Sequence, residues 1–227
     1  ADDMAFIHSM TARSSTHGPG LLQLNTGFVL DGFPSMGAWL SMAMGNLTDN
    51  LPTYVSIPDV RGLPPNGPAN WGSGFLPAAF KGTAFNAEKP LSNMGSGKVS
   101  ASDVRLRREL ERLDQHFNAS LGGDSDITAR MKSYALAAKM QLAAPEATDL
   151  RKETAATHAL YGTTSSNPLE AAYARNALLS RRLLERGVRF VQLYCGACAS
   201  GVDGLLNWDA HKTLKADYER HVPILDR

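Results

Sequence analysis

The chemistry-bearing residues gather in two places. The first is the end of Gly187 to His211, GVRFVQLYCGACASGVDGLLNWDAH, where Asp209 and His211 lie two residues apart beyond a short apolar run. Carboxylate oxygens and imidazole nitrogens both suit divalent metals. A buried strand that delivers this Asp-x-His pair is a candidate arm of a metal site. The second place is the polar turn Thr11 to Gly20, TARSSTHGPG, with four hydroxyls, Arg13 and His17. Cys195 and Cys198 add a lone CxxC. It follows a strand among Gly, Ala and Ser, and no second pair completes a zinc knuckle. Small residues in a tight loop are the first reading, a local disulfide the second and a catalytic dithiol the third.

Positioning these groups requires a particular order of elements. Met4 to Met10 is short, apolar and bounded by polar residues, as a buried strand is. Leu21 to Gly27 reads as a short helix stopped by Gly27. A second helix covers Ser35 to Met44, with Met36, Trp39, Leu40 and Ala43 at helical spacing. Thr53 to Ile57 is β-branched and alternating, a strand ended by Pro58. From 58 to 100 the chain is dense in Gly and Pro. That loop is either a surface excursion or, through Asn66, Asn70, Trp71 and Ser73, the lining of a polar site. Ser102 to Phe117 is a charged helix with a solvated face. Asp126 to Ala143 is an amphipathic helix terminated by Pro145, with Met131, Tyr134, Met140 and Leu142 placed for burial. Leu150 to Tyr161 is short and polar. Asn167-Pro168 opens a helix to about Arg186, stopped by Gly187. The strand of the opening stretch follows. His8 sits on an apolar run and reads as a core imidazole, whereas His116, His158 and His221 lie on charged stretches and read as solvated. The order implies an α/β layered domain with a helical insertion over 102–161.

Composition bounds the function. The 227 residues are 43% hydrophobic and 20% charged, which suits a packed core. A net charge of +1 gives no reason to expect nucleic acid. No apolar run reaches the ~20 residues that span a bilayer. The chain starts at Ala1 without a leader pattern and ends without a stop-like segment, so it is expected to be a piece of a longer product.

Several segments share one resemblance. RNALLSRRLLERG, ERGVRFVQLY and NWDAH, together with DMAFIHSMTARSSTHGPGLLQLNTG, GAWLSMAMG, LPTYVSIP and WGSGFLPAAFKGT, resemble the family called domain of unknown function 1501 in the same order. That family is sulfatase-like, of the alkaline phosphatase superfamily. The resemblance implies an incomplete three-layer α/β/α sandwich of alkaline-phosphatase type, spanning residues 1–227 as part of a longer domain. It implies a metal-dependent hydrolase acting on phosphate or sulfate esters, of a small anionic molecule or a glycan, with zinc or calcium as cofactor. It also implies a periplasmic or secreted parent protein.

Residue by residue, Asp209 and His211 match the family's Trp-Asp-x-His motif and would be metal ligands. Residues i and i+2 of a strand share a face, which would direct both at one ion. The alternatives are a helix cap for Asp209 and an exposed first-turn role for His211. In sulfatases the nucleophile loop reads Cys or Ser, x, Pro, Ser, Arg, then a short helix ending Thr-Gly. Pro19 and Thr26-Gly27 fit this spacing, but His17 stands at the nucleophile position and Gly20-Leu21 replaces Ser-Arg. Thr16 (or Ser15) would then attack as an alkoxide, or His17 would bind a metal or substrate, or the loop carries hydrogen bonds and no chemistry. Asn25 and Asn70 are the expected substrate-binding residues. The 227 residues alone are expected to be inactive. The alternative function is a non-catalytic binding or structural protein that retains the fold.

Overall fold

A computed structural model describes residues 5, 7–88, 100–120, 122, 123, 125–198 and 206–226. Its centre is a parallel sheet of β1 (Tyr54–Ile57), β2 (Thr83–Ala84) and β3 (Phe190–Leu193), in the order β2-β1-β3. Val55 pairs with Thr83 on one side and with Val191 on the other. Parallel strands buried on both faces read as continuous apolar runs, which fits the fully buried Tyr-Val-Ser-Ile of β1.

Alternate residues of β1 and β3 face different helices. Val55, Ile57, Val191 and Leu193 join the main core with Met140, Ala144 and Ala147 of α4 (Ser125–Thr148) and Leu179 and Leu183 of α6 (Pro168–Glu185). Tyr54 and Gln192 face the other way, toward α1 (His17–Thr26) and α2 (Met36–Met44). Gly37 of α2 lies directly against the Tyr54 ring, where an added Cβ would stand 2.5 Å from ring carbons. Helices therefore lie against both faces of the sheet. The remaining α-helices of the described residues are α3 (Ala101–Ser120), α5 (Ala155–Tyr161) and α7 (Leu214–Leu225). No helix of the described residues is long and apolar enough to cross a membrane.

Local signals explain the best-defined boundaries. Asn167 Oδ1 accepts the Leu169 N–H at 3.0 Å, Pro168 opens α6, and Gly187 follows with φ of 94°. Thr154 caps α5, and Gly162 ends it in the left-handed region.

Four expectations need correction. Residues 7–10 form no strand; His8 and Ser9 sit in a turn and Ile7 is 72% exposed. Met4 and Phe6 of that run lie outside the described residues. Both sides of β1 are taken by β2 and β3, so residues 7–10 have no place beside it. His8 is accordingly exposed rather than in the core. Second, α1 starts at His17, not Leu21. Pro19 is tolerated there because first-turn N–H groups need no helical acceptor, and Gly20 N–H closes the turn on Thr16 O at 2.9 Å. Third, α4 continues through Pro145 to Thr148. Ala144 and Ala147 are buried, and Arg182 donates to the carbonyls of Glu146 and Ala147, so packing outweighs the proline penalty. Tyr134, expected to be buried on that helix, is 71% exposed. Fourth, His221 is fully buried and His158 half-buried, its ring between Thr163 Oγ1 and Leu150 O.

Candidate metal centre

The site forms beyond the carboxyl ends of β1 and β3, where parallel sheets place their ligands. One wall is the start of α1. Thr16 is extended (φ −89°, ψ 138°), as an N-cap should be, but its hydroxyl makes no cap hydrogen bond. Asn66 fixes this turn: it sits in the left-handed region at φ 63° and donates from Nδ2 to Gly18 O at 2.7 Å. His17, the first helical residue, projects outward with its side chain 63% exposed.

The other wall is the irregular segment between β3 and α7. Ala197 N–H donates to Leu206 O (2.8 Å), Asn207 Nδ2 to Ala197 O (3.3 Å) and Trp208 Nε1 to Cys195 O (3.0 Å). Asn207 Oδ1 also accepts the Asp209 N–H at 2.9 Å, an Asx turn. The pair Asp209 and His211 is thus carried on a bend, not on an extended strand. The bend brings His211 Nε2 back to 2.7 Å from Asp209 Oδ2.

The same carboxylate oxygen lies 2.8 Å from His17 Nε2, across 192 residues of sequence. His17, Asp209 and His211 each offer a ligand atom within 4.8 Å of the others. The hydrogen bond from His211, then that from His17, holds the Asp209 carboxyl below the usual carboxylate range. Two imidazole nitrogens and one carboxylate oxygen within 4.8 Å of one another make a donor set that fits zinc.

Next to the triad lies a cavity of about 730 Å³, walled by Leu21, Leu24, Pro64, Pro65, Tyr194 and Trp208. Thr16 and His17 are on its rim. Asn25 and Asn70 are not among its lining residues. They form a network beneath it instead. Asn25 Nδ2 donates to Asn70 Oδ1 (3.1 Å), and Asn25 Oδ1 accepts from Gln192 Nε2 (2.6 Å), which also donates to Tyr194 Oη (2.7 Å). Asn70 Nδ2 donates to Pro65 O and Gly67 O. Tyr54 Oη meets Gln192 Oε1 and completes the chain. Burial, with Tyr54 nearby, pushes the Tyr194 hydroxyl well above its ordinary pKa, so it stays protonated. These contacts lock α1, and with it His17, to the sheet.

A second buried group was not apparent from the sequence. Asp59, just past β1, accepts from Arg61 Nε, Arg61 Nη2, Arg61 N–H and Gly196 N–H, all at 2.7–2.8 Å. Arg61 Nη1 lies 3.0 Å from His221 Nδ1. A guanidinium only donates, so that imidazole nitrogen accepts and the ring proton sits on Nε2. A charged Asp-x-Arg directly after a strand was the one available sign. Both cysteines are free thiols. Cys195 is half-buried, and burial pushes its thiol up, away from the thiolate a dithiol catalyst needs.

The chain is thus an α/β protein with a His₂Asp donor cluster at the carboxyl edge of a parallel sheet. It belongs to the family described as "Protein of unknown function (DUF1501)", which matches residues 1–227. No curated protein matches it, and no solved structure does.

Proposed function

We propose that this domain is a metal-dependent hydrolase-type module for phosphate or sulfate esters, and that its parallel sheet belongs to an alkaline-phosphatase-type α/β/α sandwich. The observation that carries the reading is the meeting of His17 with Asp209 and His211 from opposite ends of the chain. His17, Asp209 and His211 would hold the ion, and two imidazoles with one carboxylate suit zinc better than calcium, which prefers oxygen ligands. Such an ion, when bound, would polarise an ester oxygen and lower the pKa of bound water. Around it the chain supplies anion recognition. Pro19 has no N–H and Gly20 N–H is engaged, so His17 and Gly18 present the open backbone donors at the positive end of α1. Thr16, with its hydroxyl spare on the cavity rim, is the nucleophile candidate. Asn25 and Asn70 serve substrate binding indirectly, by fixing α1. The ester's organic part, small molecule or glycan, would occupy the cavity, and the resemblance to exported sulfatase-like proteins makes the periplasm or exterior the expected location.

Three donors are found among the described residues, whereas catalysis across two metal ions needs more. Binding of metal and anion without turnover is therefore the behaviour proposed for these 227 residues alone. Assays of aryl phosphate and aryl sulfate cleavage by the protein in its natural full length test the hydrolase reading. Metal-dependent turnover abolished by Asp209→Ala supports it, and turnover untouched by that change refutes it.

One observation favours a second reading, a binding protein that has lost the chemistry. At the position expected for a sulfatase nucleophile, His17 turns its imidazole onto Asp209. Turnover that disappears in Thr16→Val would exclude this reading.

A further inference from the structure

The segment that carries Asp209 makes three hydrogen bonds to the loop 195–197, at Cys195 O, Ala197 N and Ala197 O. That loop is in turn anchored by Gly196 N–H on Asp59 Oδ2. Gly196 has φ of 123°, a conformation that suits glycine, and a Cβ there would stand 3.4 Å from Asn207 Cα. Asp59 is held by Arg61 in a bidentate pair, with the two side chains 3% and 4% exposed. The Arg61 guanidinium also reaches Cys195 Sγ (3.8 Å) and His221 Nδ1 (3.0 Å). The His221 ring lies 5.3 Å from the Trp208 ring. One guanidinium thus touches the exits of β1 and β3 and the buried side of α7, all directly beneath the Asn207–Asp209 bend.

A buried ion pair is a poor way to gain stability, because desolvation offsets most of its attraction. This pair is fully hydrogen-bonded: burial raises the Asp59 pKa, but the Arg61 and Gly196 donors outweigh it and hold the carboxyl below its usual range. We infer that Arg61 is a positioning residue, which through Asp59 and Gly196 sets where the Asn207–Asp209 bend, and hence the Asp209 carboxylate, stands opposite His17. Its effect on metal affinity rests on the proposed function; its effect on the bend does not.

The test uses ¹⁵N-labelled chain, with the Trp208 indole N–H assigned by its loss in Trp208→Phe. Hydrogen exchange is followed at that indole and at the Ala197 and Asp209 amides. Arg61→Met leaves Asp59 buried without its partner and risks unfolding. The double variant Asp59→Leu/Arg61→Met removes both charges and keeps an apolar fill. Leu179→Val, a core change with no polar contact to the bend, controls for general destabilisation. The expected result is a folded double variant with a displaced indole resonance and exchange at least tenfold faster at the three sites, unlike Leu179→Val. Zinc affinity should fall, by less than the about 10- to 100-fold lost with a partner that touches a ligand directly, because Asp59 and Gly196 stand between Arg61 and the bend. Unchanged resonances and exchange in the folded double variant, or equal changes in Leu179→Val, overturn the inference. If the wild-type chain binds no zinc, the metal reading fails, while the indole and exchange data still decide the role of Arg61.

Discussion

Asn25→Ala probes the link between the sheet and His17. Asn25 is nearly buried, and its side chain is used at both ends. Removing it leaves Gln192 Nε2 with Tyr194 Oη as partner. Asn70 Oδ1 has no such substitute in the network, so its acceptor is stranded in the interior. A buried unsatisfied acceptor costs about 1–3 kcal/mol, and the small void adds to that, giving about 2–3 kcal/mol in all. For a chain of this length, about 2–4 °C per kcal/mol converts this to a fall in Tm of roughly 4–12 °C. Urea unfolding followed by far-ultraviolet circular dichroism measures the cost directly. Asn25 lies eight residues along α1 from His17, about 12 Å at the helical rise, so loosening that end also weakens metal binding at the other. A cost below about 0.5 kcal/mol, typical of an exposed site, would refute the view that this network locks α1.

Two further outcomes follow from the geometry. Gly37→Ala places a Cβ 2.5 Å from the buried Tyr54 ring, which is tied to Gln192 and has little room to move. Overpacking of this kind costs about 3 kcal/mol, and an unchanged Tm in differential scanning calorimetry would contradict the packing of α2 on β1. Asp59→Asn tests the hub through pH. The folded Asp59 pKa is lowered, so its stabilisation is fully present above the unfolded value of about 3.9 and is lost as pH falls through the folded value. The gap in urea midpoint between wild type and Asp59→Asn should be constant near neutrality and narrow below about pH 4. A gap that widens in acid has the wrong sign.

Local codes were legible where local physics decides. Asn167-Pro168 and Gly187 bound α6, and the β-branched run Thr53 to Ile57, stopped by Pro58, marks β1, because caps and strand propensity act over a few residues. The two-residue β2 carries too little sequence to register, and it is specified by its pairing with β1. Pro145 and the run ending at Met10 misled for the opposite reason. Tertiary packing carried α4 through its proline, and residues 7–10 found no free side of β1. In the site, His17, Asp209 and His211 stood out individually by chemistry. Their meeting depends on strand order and so was not readable from spacing. The i, i+2 rationale for Asp209 and His211 also gave way to a bend built by Asn207, whose Asn-x-Asp pattern is an Asx-turn signal. Asp59, Arg61 and His221 were hidden because charged and imidazole side chains default to the surface unless partners distant in sequence bury them.

The metal site proposed on His17, Asp209 and His211 can be measured on the chain itself. The experiment is equilibrium dialysis of the 227-residue chain, stripped of metal, against zinc, with elemental analysis of the retained metal. About one zinc per chain is expected, lost in Asp209→Ala and weakened at least about tenfold in both His17→Ala and His211→Ala. Absence of bound zinc in the folded wild type, or undiminished binding in Asp209→Ala and His17→Ala, would contradict it.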